Sequence, residues 1–235
     1  MPAPSQNTIT RDIYTVDYDQ QLPGGVPFMT RMTIIRLESG GLWLHSPVPI
    51  NDALARAVET LGRVQYLVAP NLFHHFYMPA AMERWPEAEL WVPAGMAEKV
   101  PELAAGKLLA AADADGGEAP AWAAEIDSLA VTGAEKINER IFLHRETGTL
   151  VVTDLLFNWG RARGFWQRII FAIMGVNNGL RQSRAWRMVA SDRAAAADSL
   201  KPLADWPVRR LIPCHGTVID SIDAATVVRA INRFG

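Results

Sequence analysis

Val64–Phe76 reads VQYLVAPNLFHHF, an apolar run that passes at Pro70 into a loop with two adjacent histidines, His74 and His75. Val64–Ala69 has the length and apolar content of a buried strand. Neighbouring side chains on a strand point to opposite faces, so the two imidazoles can share one target only where the chain has left the strand. Upstream, RMTIIRLESGGLWLH (31–45) predicts two strands around the turn Ser39-Gly40-Gly41. NDALARAVETLG (51–62) predicts a helix with Asn51 or Asp52 as N-cap, apolar positions Leu54, Ala57, Val58 and Leu61, and Gly62 as its stop. Downstream, MPAAMERW reads as a short helix and AELWVP as a strand. This β-α-β-α-β alternation implies helices packed on a sheet.

A small, acidic, Gly-rich surface loop is expected at AAADADGGEAPAW (110–122). EIDSLAV, ERIFLHR and TLVVTD then predict three strands, the last two joined by Glu146-Thr147-Gly148. SDRAAAADSLKPLADW (191–206) reads as an N-capped helix with a bend at Pro202. A strand at VRRLIP, a turn at CHG and a terminal helix complete the chain. Two β-rich halves, each followed by helices, predict a single domain over residues 1–235.

The bulk numbers set the class. With 235 residues, 49% hydrophobic, 20% charged and a net charge of −2, the composition is ordinary for a globular chain, and no charge argument points to nucleic acid. One cysteine, Cys214, excludes an intrachain disulfide and a Cys-rich zinc module. MPAPSQNTITRD lacks the apolar segment of a signal peptide, so a cytoplasmic location is expected.

Five histidines are present: His45, His74, His75, His144 and His215. His74, His75, Asp154 and His215 all follow the carboxyl ends of expected strands, where α/β architectures place chemistry. From the residues alone two readings stand. They are metal ligands, or they are loop histidines bonded to backbone with Asp154 as a turn cap. His144 lies at the opposite end of its hairpin, roughly 17 Å of strand from Asp154. His45 is expected in the core or as a cap, and Cys214 as a small buried side chain.

GGLWLHSPVPI, APNLFHHF, VVTDLLFN and PCHG, in this order and spacing, resemble the metallo-β-lactamase fold superfamily. The resemblance runs from about Met32 to Ile219 and is to a divergent, uncharacterised branch. It implies a four-layer αββα sandwich and a metal-dependent hydrolase. The family's T-H-x-H-x-D-H loop falls on Ala69–His75, where Pro70 and Leu72 replace the first two histidines. The third ligand of that first metal would fall near Gly133. The resemblance therefore implies that the first site is lost. His74, in place of the family aspartate, with His75, Asp154 and His215 would hold one metal: zinc, with iron or manganese as alternatives. His74 rather than Asn71 is expected as the fourth ligand. Four protein ligands close a tetrahedral zinc, so hydrolysis needs one of them to stand off. Asp154 is the candidate catalytic residue, orienting the water.

Between Asp154 and Asp192 no acidic residue occurs, while Arg161, Arg163, Arg168, Arg181, Arg184 and Arg187 surround the apolar run FWQRIIFAIMGV. That run falls short of the roughly 20 residues a bilayer span needs. It reads as a core helix, a lid, or a helix lying on anionic lipid. Because most of its circumference is apolar, the 155–190 insert is expected as a mobile cover rather than a membrane contact. Arg161 or Arg163 would then meet an anionic substrate group. The sequence thus predicts a single-metal hydrolase of a small ester, lactone or phosphoester. The alternative is an inactive domain of the same fold that binds a ligand, membrane or protein partner.

Overall fold

The computed structural model describes residues 5–22, 25–109, 119–162 and 164–231. Most of the expected Gly-rich loop, and Arg163, lie outside these described residues. The chain divides into two compact units, one of residues 1–19 and 30–124, the other of residues 20–29 and 125–235.

The first unit contains most of a seven-stranded sheet: β1 (Ser5–Thr8), β2 (Ile13–Leu22), β3 (Val26–Arg36), β4 (Gly41–His45), β5 (Arg63–Val68), β6 (Glu89–Val92) and β7 (Lys107–Leu108), ordered as in the sequence. Pairs β1–β2 and β3–β4 are antiparallel, while β4, β5, β6 and β7 run parallel. The sequence reading did not foresee β1, β2 or the first half of β3. Helices α1 (Asp52–Leu61), α2 (Met78–Arg84) and α3 (Met96–Lys99) complete the unit. Asn51, not Asp52, caps α1, its side-chain oxygen accepting from the Leu54 amide at 2.8 Å. That cap sets the phase that buries Leu54, Ala55 and Val58 with Leu42, Leu44 and Leu67. Each fully buried Leu or Val is worth about 1.5–3 kcal/mol.

The second unit has a sheet ordered β13-β10-β9-β8, from β8 (Ile126–Ala130), β9 (Arg140–His144), β10 (Thr149–Val152) and β13 (Arg210–Pro213). Strands β11 (Phe157–Trp159) and β12 (Gly179–Arg181) form a separate antiparallel ribbon. Its helices are α4 (Phe165–Met174), α5 (Arg184–Val189), α6 (Arg193–Ser199) and α7 (Ala224–Ile231). Asp192 caps α6 by accepting from Ala195, and the helix stops at Ser199. The expected bend at Pro202 is a 3₁₀ segment, Lys201–Asp205, because proline cannot continue the α ladder but fits a first turn.

Helix α4 is not the core helix that its composition allows. Phe171 is its one buried residue among those described, packed with Phe28, Phe157 and Val176. Phe165, Trp166 and Ile173 are 70%, 66% and 66% exposed. Among the described residues no helix is long and apolar enough to cross a membrane.

Candidate metal centre

In the first unit, β4 and β5 are parallel with His45 opposite Val68, so both chains leave the sheet at the same edge. Beyond β4, Ser46 takes a left-handed φ of 54°, an uncommon conformation for a non-glycine residue, with its amide donating to the Val68 carbonyl. Its hydroxyl lies 2.6 Å from His74 Nδ1. Beyond β5, the buried Asn71 side chain accepts from the amides of Phe73 and His74 at 2.8 and 2.9 Å. Asn71 thus shapes the turn that carries His74. Both histidines have left the strand, which removes the geometric objection to a shared target.

His75 stacks on Phe76 at 4.6 Å. Its pKa is lowered by partial burial first, then by Lys99 and His74. Lys99 donates to the Leu72 carbonyl at 2.6 Å and lies over the Phe73 ring, pinning the loop from the other side. His45 is fully buried and stacked on Trp43, as expected of a core histidine. Burial, with a smaller contribution from His74, pushes its pKa down to about 3. It is therefore neutral at physiological pH.

In the second unit, β10 and β13 run parallel with Val152 opposite Pro213, and the Cys214 amide donates to the Val152 carbonyl. Asp154 and His215 each stand two residues beyond that last pair. The register thus brings their side chains together, His215 Nε2 lying 3.5 Å from Asp154 Oδ1. His215 Nδ1 is 2.9 Å from the Met29 carbonyl. A carbonyl only accepts, so Nδ1 carries the proton. Phe157 stacks on the imidazole at 4.9 Å, and Phe28 packs against it at 4.6 Å. Gly216 follows at φ 99°, where a Cβ would collide with the Asn158 carbonyl. The tight turn of PCHG therefore requires its glycine.

Glu139, which the sequence reading passed over, builds the other side of this edge. It is buried, and it accepts from the Thr153 amide and hydroxyl at 3.0 and 2.6 Å and from Trp186 Nε1 at 3.3 Å. Burial first, then the charge of Asp154, pushes its pKa up to about 7. The one sequence signal was an acid placed just ahead of the apolar run Ile141–Leu143 in ERIFLHR.

The remaining expected positions separate clearly. His144 bonds Thr147 at its hairpin turn, and Cys214 is buried. Leu72 belongs to the first unit's core. Gly133 has φ 69°, and a Cβ there would collide with the Asp192 carbonyl. No side chain fits at the position where the resemblance would put a third ligand of the first metal. Arg161 lines a cavity of about 760 Å³ with Phe165, Arg168 and Ile169, and neither Asp154 nor His215 lines it.

A family model described as "Domain of unknown function (DUF4336)" matches residues 10–162. The chain belongs to this DUF4336 family. No curated protein matches it in sequence. Among solved structures, the metallo-β-lactamase DIM-1 exposed to ceftazidime aligns with a TM-score of 0.65 at 10% identity, covering 100% of this chain and 99% of that one. The metallo-β-lactamase FIM-1 from Pseudomonas aeruginosa, in its mono-zinc form, aligns at 0.60 and 9% identity, covering 97% and 94%. A metal-soaked Flv1 flavodiiron core from Synechocystis sp. PCC6803 aligns at 0.62 and 12% identity, covering 99% of this chain and 61% of that one. At such identities the likeness concerns fold alone. This DUF4336 member has the metallo-β-lactamase fold, the α/β class that its loop motifs implied.

Proposed function

We propose that the chain is a metal-dependent hydrolase of a small ester, lactone or phosphoester. One divalent ion, zinc first among the candidates, would be held in the second unit by Asp154 and His215, with His74 and His75 as the further imidazoles that the loop motif implies. The reading rests on the His215–Asp154 pair. With Nδ1–H committed to Met29, His215 turns Nε2 toward a carboxylate oxygen 3.5 Å away. An imidazole nitrogen and a carboxylate oxygen held this close can share one cation. Imidazoles with one carboxylate suit zinc, iron or manganese, and one of the four standing off leaves the open position that hydrolysis requires. The mono-zinc form of a protein of this fold supports the count of one.

A bound ion would supply Lewis-acid polarisation of a carbonyl or phosphoryl oxygen. The chain's residues do the positioning. Met29 fixes the His215 tautomer, Ser46 orients His74, and Glu139 holds the Thr153 end of the Asp154 turn. Phe28 and Phe157 shield the His215 ring from water.

Calorimetric titration of chelator-treated protein with zinc is expected to give one site per chain. His215→Ala should weaken binding more than about 100-fold, whereas His144→Ala should leave it unchanged. No binding of zinc, iron or manganese by the wild-type protein would overturn the reading.

A further inference from the structure

We propose that the Arg161–Val189 face docks on an anionic phospholipid bilayer, with α4 lying in the interfacial plane. Three independent observations converge on it. The first is the outward side of α4. Phe165, Trp166, Ile169 and Ile173 follow helical spacing along one face, and all four are exposed. Met188 on α5 adds a side chain 79% exposed. A run of large apolar groups in water, with tryptophan and phenylalanine among them, is the composition of a helix seated at the headgroup boundary.

The second observation is how α4 is moored. Phe171 and the partly buried Ile170 and Met174 pack with Phe28, Phe157 and Val176, and Gln167 donates to the Pro27 carbonyl at 3.2 Å. Gln167 therefore belongs to the moored side. The two polar residues of the run do not form the outward face, which is why circumference alone misjudges this helix. The Arg184 guanidinium donates to the Ala172 carbonyl at the carboxyl end of α4, capping the helix and holding a cation at the apolar rim.

The third observation is charge. Residues 155–191 carry six arginines, no lysine and no acid. Of these, Arg161, Arg168 and Arg184 are exposed around α4. The cations come from the flanking loops and the helix shoulder, not from the side opposite the apolar stripe. The cavity lined by Arg161 and Arg168 has Phe165, Ile169 and Ala172 as its apolar wall. Two guanidiniums beside such a wall match a phosphodiester headgroup with its acyl chain alongside. A second copy of the chain fits poorly, because the two faces would oppose arginine clusters of the same sign.

The test is co-sedimentation of the full chain with phosphatidylglycerol vesicles and with phosphatidylcholine vesicles. Binding should be at least about tenfold stronger to phosphatidylglycerol and should weaken with added salt. Arg161→Gln with Arg168→Gln should cost about fivefold per arginine. Phe165→Ser with Ile173→Ser should abolish partitioning while leaving the circular dichroism spectrum unchanged, since both side chains are exposed. Trp166→Phe should remove a vesicle-induced blue shift of the fluorescence. Equal binding to both vesicles, binding to neither, or partitioning indifferent to the Phe165/Ile173 change would each overturn the proposal. So would self-association without lipid that the same change abolishes, since that makes the face a protein contact.

Discussion

Two loops of this chain are built alike and finish differently. Each leaves the carboxyl end of a parallel strand pair, β4–β5 in one unit and β10–β13 in the other. In the first, Asn71 bonds the amides of its own turn and Ser46 meets His74. That loop answers its own polar groups. In the second, Met29 meets the His215 ring, Glu139 holds the Thr153 end of the turn, and His215 Nε2 stands 3.5 Å from Asp154 Oδ1. The first loop spends a side chain on its own backbone, whereas the second is held by residues distant in sequence, Met29 and Glu139.

The comparison breaks most visibly at Glu139. Glu139→Ala removes the acceptor for the Thr153 amide and hydroxyl and for Trp186. Orphaned buried donors cost about 1–3 kcal/mol each, so a loss of about 3 kcal/mol is expected in urea unfolding, together with weakened metal binding. An unchanged midpoint would show that the second loop does not depend on its buried carboxylate. Ser46→Ala probes the first loop and should act more mildly. Losing the hydroxyl beside His74 is expected to cost about 1 kcal/mol and about tenfold in zinc affinity. Affinity unchanged by Ser46→Ala would make His74 a bystander.

The fold was legible because strand ends and turn glycines are local. The β10–β13 register follows from TLVVTD and VRRLIP, and Gly216 from the turn between His215 and the next segment. The N-terminal hairpin was missed because Asp17, Asp19, Gln20 and Gln21 break the alternation in IYTVDYDQQL. Glu139 could not be read, because its partners stand 14 and 47 residues away. Nearby, only its place ahead of Ile141–Leu143 sets it apart from a solvated acid. The face of α4 was hidden for a related reason: a run apolar apart from Gln167 and Arg168 does not say which side meets Phe28. Gly133 is the converse case. Its sequence shows a missing histidine, while its φ and the nearby Asp192 carbonyl show that no side chain fits.

The smallest effect concerns His45, and it tests whether the start of the first loop keeps its packing as pH falls. Burial holds this ring neutral, with a pKa near 3 against 6.5 for the free side chain. Between those values the unfolded chain binds more protons than the folded one. Stability contributed by His45 is therefore fully present above pH 6.5 and is lost as pH falls toward 3. From pH 7 to pH 6 the loss from one such group is about 0.7 kcal/mol. His75, shifted in the same direction, adds to it, so the wild-type slope alone assigns nothing. The informative quantity is the difference in slope between wild type and His45→Gln, measured by urea unfolding of chelator-treated protein at both pH values. The substitution's own packing cost is the same at each pH and cancels. A wild-type loss exceeding that of the variant by about 0.7 kcal/mol is expected. Equal slopes would mean that His45 takes up its proton while folded, which requires the stack on Trp43 and the Ser46 corner to yield, and the first loop would then be the mobile one.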